Sequence, residues 1–92
     1  MMQRTVEIRV NGHVQGVGFR YATKMIADRL SLVGEVYNAV DGSVHIIASG
    51  PANIIAEFIK QVQSSPSPYG RVDELTVENL SHPLSNTTFS IK

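Results

Sequence analysis

Three glycines within seven residues, Gly12, Gly16 and Gly18, separate a segment that alternates like a strand from a segment with helical apolar spacing. Glycine permits backbone conformations closed to other residues and lets the main chain approach a ligand closely. Successive N–H groups in such a loop can converge on an anion, and the start of the following helix adds the positive end of its dipole. Arg20 closes the run with a planar, permanently charged fork of donors. The run over 10–20 therefore predicts a site for a small phosphate-like dianion, although a glycine-rich loop by itself is more often only a tight turn.

The first half of the chain predicts a strand followed by a helix. Polar and apolar residues alternate over 5–11, which indicates a half-buried strand. Ala22, Met25, Ile26, Leu30 and Val33 then recur at helical spacing. We expect Gly34 to end this helix, because glycine is favoured just past a helix C-terminus.

Two strands and a second helix follow. Alternation predicts a strand over 36–40 and another over 43–49, and Asp41-Gly42 between them is typical of a two-residue hairpin turn. Gly50-Pro51 opens a helix with a strong apolar stripe, since proline suits the first helical turn. The Ser/Pro-rich stretch over 64–68 reads as a loop.

The last third predicts a fourth strand and leaves two questions open. Leu75 and Val77 mark the strand, while Val72 is out of phase with them, so the strand starts late or carries a bulge. Phe89 and Ile91 suggest a short closing strand, and the pattern does not decide whether it joins the main sheet.

The predicted order is β-α-β-β-α-β in one domain over 1–92. This is the α+β, ferredoxin-like arrangement, with two helices on one face of an antiparallel sheet and room for a short fifth strand. In this topology the first and second strands run the same way, so their ends meet at one rim. Asn38 shares its face with Val36 and Val40; if those valines face the helices, its amide faces the glycine-rich run. An amide both donates and accepts, so it could hold a water beside a bound phosphoryl group.

Two motifs resemble the signatures of the acylphosphatase family. The first is GHVQGVGFR over 12–20, and the second extends over 34–50 with Asn38 in the matching position. Length and element order agree as well, so the resemblance covers nearly the whole chain. The run lacks the Gly-Lys-Ser/Thr of a Walker loop and the third glycine of a dinucleotide fingerprint. Two residues depart from the family pattern, Glu35 in place of the usual aromatic residue and Tyr37 in place of a frequent basic one, and by alternation both face away from Asn38.

Acylphosphatases hydrolyse the carboxyl–phosphate bond of small acyl phosphates to a carboxylate and orthophosphate. The resemblance implies that Arg20 binds the phosphate and that Asn38 positions the attacking water. It also implies a phosphate-binding cradle formed by Gln15, Gly16, Val17, Gly18, Phe19 and Arg20. The leaving carboxylate has a conjugate acid with a pKa of about 4, so it departs without a general acid. We expect no cofactor, and as partners the acyl phosphate and a phosphate or sulfate anion.

Charge and composition narrow the alternatives. Eight basic and eight acidic side chains balance, whereas a nucleic-acid footprint usually shows a basic excess. The absence of cysteine excludes thiol catalysis, and no apolar run is long enough to span a membrane. No signal-peptide pattern is present at the N-terminus. His13, His45 and His82 are too widely spaced for a metal site and are expected on the surface. These features predict a cytoplasmic monomer that binds no metal.

Two rival functions remain open at this point. The chain could be a binding module that holds a phosphate or carbamoyl phosphate without turning it over. It could also be an RNA-binding domain of ferredoxin-like topology, but such domains stack bases on aromatic residues of the two central strands. The predicted first and third strands carry no aromatic residue. Fold alone does not choose among these functions.

Overall fold

The computed structural model describes residues 2–82 and 84–92, and this part of the chain forms five strands and two helices. In chain order they are β1 (Gln3–His13), α1 (Phe19–Arg29), β2 (Val33–Asn38), β3 (Val44–Pro51), α2 (Ala52–Gln63), β4 (Arg71–Leu80) and β5 (Phe89–Ile91). Neither of the described helices is long and apolar enough to cross a membrane.

The strands form one sheet in the order β4-β1-β3-β2-β5. β1 is antiparallel to β3 and β4, and β2 is antiparallel to β3. The predicted ferredoxin-like order is therefore confirmed. The fifth strand joins the sheet, but it pairs parallel to β2, so the sheet is mixed rather than purely antiparallel. Because β1, β2 and β5 run the same way, their C-terminal ends lie at one rim.

The core lies between the helices and one face of the sheet. Alternate residues of the central strands point into it, and Val6, Ile8, Val36 and Ile46 have no exposed surface. From the helical side α2 buries its predicted stripe, with Ile55, Phe58 and Val62 inside. The ring of Phe58 meets that of Phe89 edge-on at 6.2 Å, which ties β5 to the core.

The prediction that Gly34 ends the first helix is wrong. α1 stops at Arg29, and Ser31 adopts the left-handed conformation with φ of 58°. The N–H of Leu32 donates to the oxygen of Ala27 at 2.9 Å, which closes a Schellman motif with serine in the place that glycine usually takes. Gly34 lies inside β2 with φ of 146°, where a Cβ would overlap the main-chain oxygen of Ile47. Glycine is required there by a close strand approach, not by a helix end.

The buried stripe of α1 also differs from the prediction. The helix begins at Phe19 and buries Thr23, Ile26 and Ala27 along the same face. Met25, predicted to be inside, is 49% exposed. Val33 continues the helical spacing in the sequence but belongs to β2, so including it rotates the predicted face of the helix.

The hairpin between β2 and β3 has a longer loop than predicted. The N–H of Ala39 donates to the oxygen of Ser43 at 2.8 Å, and the N–H of Gly42 donates to the oxygen of Ala39 at 3.2 Å. Gly42 has a φ of 94°. This is a three-residue loop in which the glycine takes the left-handed position. Val40 stands at the tip, fully exposed, so its predicted place on the face of Asn38 is wrong.

The out-of-phase position in the fourth strand is explained by a bulge. Asn11 of β1 pairs with Glu74, but the next residue, Gly12, pairs with Val72. Asp73 is the extra residue, so the register shifts by one at this point. Of the two alternatives, the bulge is the one that occurs, since β4 begins at Arg71.

Candidate active site

A small cavity opens at the rim where β1, β2 and β5 end. Its volume is about 170 Å³. Its described lining residues are Val14, Gly16, Gly18, Phe19, Arg20, Tyr21, Asn38 and Ile91. A small ligand fits within this volume.

The loop over 14–18, here called the glycine loop, wraps one side of this cavity. Gly16 and Gly18 are left-handed, with φ of 77° and 78°. A Cβ at either position would meet nothing within 4 Å, so the backbone conformation, and not crowding, calls for glycine. Left-handed residues interspersed in a loop turn main-chain N–H groups toward a common concavity, which favours an anion.

The N-terminus of α1 faces the same cavity. Gly18 is the N-cap and contributes no side-chain hydrogen bond, and the first turn contains no acidic residue. The first helical bond runs from the N–H of Ala22 to the oxygen of Gly18 at 3.0 Å. The N–H groups of Phe19, Arg20 and Tyr21 therefore have no partner within the helix. Together with the helix dipole they attract negative charge.

Arg20 is half-buried and is anchored by the last strand. Its Nη1 donates to the main-chain oxygen of Lys92 at 2.9 Å, and the N–H of Lys92 donates to the oxygen of Val36 at 2.9 Å. A guanidinium has five N–H donors, so this bond fixes the group while leaving donors for a ligand. The alternation that predicted β5 could not show that Ile91 lines the cavity or that Lys92 binds Arg20, because it does not reveal the strand's neighbour in the sheet.

Asn38 is the last residue of β2 and lines the cavity with an exposed side chain. Within the described residues its carboxamide has no hydrogen-bond partner, so it is available to a ligand or water. It follows the face of Val36, which is buried, as the alternation predicted. Tyr37 lies on the opposite face against His45, with ring centroids 5.3 Å apart.

Gln15 and Val17 connect the glycine loop to neighbouring segments outside the cavity. The Nε2 of Gln15 donates to the main-chain oxygens of Ala39 at 2.8 Å and Ser43 at 2.9 Å. The oxygen of Val17 accepts a bond from the hydroxyl of Ser67 at 2.5 Å. Ser67 was not singled out from the sequence. Of the six residues predicted to bind phosphate, those that line the cavity are Gly16, Gly18, Phe19 and Arg20.

A hydrogen-bonded chain stiffens the hairpin that follows Asn38. Asp41 Oδ1 accepts bonds from the hydroxyl of Ser43 at 2.6 Å and from its N–H at 3.0 Å. These bonds, the hydroxyl first, lower the pKa of the Asp41 carboxyl. The ring of His45 continues the chain, with Nε2 3.1 Å from the same hydroxyl. His45 is half-buried, so its predicted exposure is wrong, whereas His13 and His82 are exposed.

The described residues that line the cavity carry a single positive charge and no negative one. Arg20 carries the one charged side chain among the described lining residues, and none of them is a carboxylate or histidine. In the described part of the chain, no three His, Asp or Glu residues cluster as metal ligands would. The arrangement can bind a dianion and orient a water, but it offers no side chain for general acid–base transfer.

Known proteins resemble the chain over nearly its whole length. A family model for acylphosphatase matches residues 6–91. The acylphosphatase of Latilactobacillus sakei subsp. sakei (strain 23K) is 49% identical over 90 residues, which cover 98% of each chain. That of Enterococcus faecalis (strain ATCC 700802 / V583) is 47% identical over 95% of this chain and 93% of the relative. The crystal structure of acylphosphatase from Bacillus subtilis matches with a TM-score of 0.93 at 40% identity, covering 99% of both chains.

Proposed function

The chain belongs to the acylphosphatase family of hydrolases that act on acid anhydrides, and from that premise we propose how its residues carry out the reaction. The phosphoryl group of a small acyl phosphate is bound by Arg20 and by main-chain N–H groups from Gln15 to Phe19. Asn38 holds the attacking water. One observation carries this proposal: the start of α1, the guanidinium and the carboxamide line a single cavity of about 170 Å³.

Binding relies on one full charge and several partial charges. Arg20 supplies the full charge, and its bond to the oxygen of Lys92 supports a fixed orientation toward the ligand. The N–H groups at the start of α1 and in the glycine loop supply the partial charges. Because these donors recognise tetrahedral oxyanions in general, we expect inorganic phosphate and sulfate to compete with the substrate.

In the proposed step, the water oxygen attacks phosphorus and the bond from phosphorus to the acyl oxygen breaks. The electron pair of that bond leaves with the carboxylate, which is stable without a proton. One water proton passes to an oxygen of the substrate's own phosphate, so an acyl phosphate dianion and water yield a carboxylate and dihydrogen phosphate. Such a transfer depends on positioning and charge stabilisation more than on acid–base groups, which suits a cavity lined by neither carboxylate nor histidine.

A panel of phosphate compounds tests the proposal. We expect saturable hydrolysis of acetyl phosphate and of an aromatic acyl phosphate, competitive inhibition by phosphate, and unchanged rates in EDTA. A phosphate monoester should be spared, because its alkoxide is a far poorer leaving group than a carboxylate. Saturable binding of acetyl phosphate without hydrolysis above background would instead support the binding module. A rate abolished by EDTA would contradict the metal-free mechanism.

We also propose that the protein acts as a monomer in the cytoplasm. Arg20, Asn38, the glycine loop and the start of α1 already supply every group that the proposed reaction uses, so the proposal requires no residue from a second copy. The cysteine-free sequence suits a reducing compartment. Sedimentation at assay concentrations tests the first statement, and fractionation of the source cells tests the second.

A further inference from the structure

The loop over 64–70 between α2 and β4 contacts the glycine loop through a hydrogen bond. The side chain of Ser67 is buried, at 3% exposure, and its hydroxyl donates to the main-chain oxygen of Val17 at 2.5 Å. The same hydroxyl accepts a bond from the N–H of Tyr69 at 3.3 Å. With its proton committed to Val17 and a lone pair committed to Tyr69, the hydroxyl has one orientation.

We infer that Ser67 is a positioning residue, which fixes the peptide between Val17 and Gly18 so that the N–H of Gly18 faces the phosphate site. This peptide is planar and trans, so its C=O and N–H point in opposite directions. The hydroxyl of Ser67 holds the C=O on the outer side of the loop. The N–H is thereby directed to the other side, where Gly18 lines the cavity.

One side of the glycine loop faces the cavity, and the opposite side packs against the loop over 64–70. Among the described lining residues of the cavity, none comes from 64–70, and Val17 is also absent from the lining. Gly70 packs close to Val17 on the outer side, since a Cβ there would lie 3.3 Å from the Val17 side chain. The 64–70 loop therefore supports the glycine loop from behind without reaching a ligand.

The peptide needs such a restraint because of the glycines around it. Gly16 and Gly18 on either side of Val17 are the residues that restrict backbone rotation least. Rotation of the Val17–Gly18 peptide would turn a carbonyl oxygen toward the bound anion and replace attraction with repulsion. The support is itself held in place, because the N–H of Gly70 and the hydroxyl of Ser65 both donate to the oxygen of Ser67, at 3.2 and 2.9 Å.

This inference rests on the proposed function, and its test separates the two. The variants are Ser67→Ala, which removes the hydroxyl; Ser67→Cys, which keeps a weak donor of similar shape; and Ser64→Ala as the matched control. The hydroxyl of Ser64 donates to Lys60 within α2 and is exposed. Each is measured for the inhibition constant of inorganic phosphate, for kcat and KM with acetyl phosphate, and for the midpoint of thermal unfolding.

We expect Ser67→Ala to raise the inhibition constant for phosphate roughly tenfold, the effect of losing one well-placed hydrogen bond. Ser67→Cys should fall between Ala and the native protein, and Ser64→Ala should match the native protein. If Ser67→Ala does not fold, a smaller but measurable increase in the inhibition constant of Ser67→Cys supports the inference. A lower unfolding midpoint with unchanged phosphate inhibition in a folded Ser67 variant would overturn it, because that result indicates a structural role alone. Absence of phosphate inhibition in the native protein would overturn the proposed cradle and this inference with it.

Discussion

The carboxamide of Gln15 donates a hydrogen bond to the main-chain oxygen of Ala39, 2.8 Å away. Ala39 directly follows Asn38, so this bond joins the glycine loop to the strand end that carries the proposed water-positioning residue. A second bond from the same nitrogen to the oxygen of Ser43 fixes the loop to both sides of the hairpin. The two halves of the site, which lie far apart in the sequence, are thereby held together by one side chain.

Gln15→Ala should therefore impair both turnover and stability. We expect kcat to fall about tenfold and the free energy of unfolding to fall by about 1–3 kcal/mol, because two hydrogen bonds are lost. Acetyl phosphate kinetics and urea unfolding measure the two effects. Gln61→Ala is the control, since that carboxamide donates to Glu57 on the surface of α2. Native turnover in Gln15→Ala would contradict the positioning role.

Arg20→Lys should weaken phosphate binding as well as turnover. An ammonium keeps the charge but loses the planar fork that can grip two phosphoryl oxygens and the oxygen of Lys92 together. We expect kcat/KM for acetyl phosphate to fall by about 10²-fold, near the range seen when one pre-aligned donor is removed. Arg29→Lys at the far end of α1 is the matched control. Unchanged kinetics in Arg20→Lys would rule out the proposed contact.

Asn38→Ala should separate turnover from binding. If the carboxamide holds the water and does not grip the phosphoryl group, kcat falls by about 10²-fold or more while the inhibition constant for phosphate stays near the native value. Steady-state assays with added phosphate measure both. Asn53→Ala on the exposed surface of α2 controls for the loss of an amide. A large loss of phosphate affinity would instead make Asn38 a phosphate ligand.

Gly34→Ala should destabilise the fold far more than Gly42→Ala. Both glycines have positive φ, and forcing alanine into that region costs about 1–3 kcal/mol. At Gly42 a Cβ meets nothing within 4 Å, whereas at Gly34 it would overlap the oxygen of Ile47 in the neighbouring strand. We expect a loss of at least about 4 kcal/mol at Gly34, in the exceptional range for one substitution. Similar urea unfolding midpoints for Gly34→Ala and Gly42→Ala would contradict this expectation and would show that β2 and β3 can separate locally.

Asp41 should make stability depend on pH in the acid range. The pKa of its carboxyl lies below the ordinary value of 3.8 in the folded state, chiefly because the Ser43 hydroxyl donates to it. The group therefore stabilises the fold above the unfolded pKa, and this contribution is lost as pH falls through the folded pKa. The native protein should have a higher unfolding midpoint than Asp41→Asn at pH 6, and the gap should close below pH 3.8. Some pH dependence should persist in the variant, because Arg71 lowers the pKa of Asp73 in the same direction.

The strand and helix order could be predicted from the sequence because apolar periodicity and burial have the same cause. Val6 and Ile8 alternate because β1 has one buried face, and Ile55 and Phe58 are spaced for a helix that packs on it. The ends of the helices and strands depend on backbone conformations and close contacts that apolar periodicity does not show. Ser31 adopts a conformation in which glycine is the usual residue, and Gly34 is glycine for a contact with a strand further along the chain.

The cavity was only partly predictable, for a related reason. Arg20 and Asn38 lie in motifs whose spacing is visible in the sequence, and the rule that parallel strand ends share a rim brings them together. Ile91 lines the cavity, while Lys92 contacts Arg20 and Ser67 contacts Val17, all through tertiary contacts that no local pattern encodes. The Ser/Pro stretch was correctly interpreted as a loop, but its packing against Val17 depends on where α2 ends and β4 begins.

β1 lies between two strands that follow it at long sequence distance, with Val6 opposite Ala48 on one side and opposite Asn79 on the other. Pairings of this kind close large loops before contacts compensate for the lost chain entropy, and domains dominated by them fold in about milliseconds to seconds. The glycine loop follows directly after β1, so we expect it to adopt its native conformation only after the whole sheet has formed. The return of hydrolysis during refolding should therefore be a late event that reports completion of the global transition.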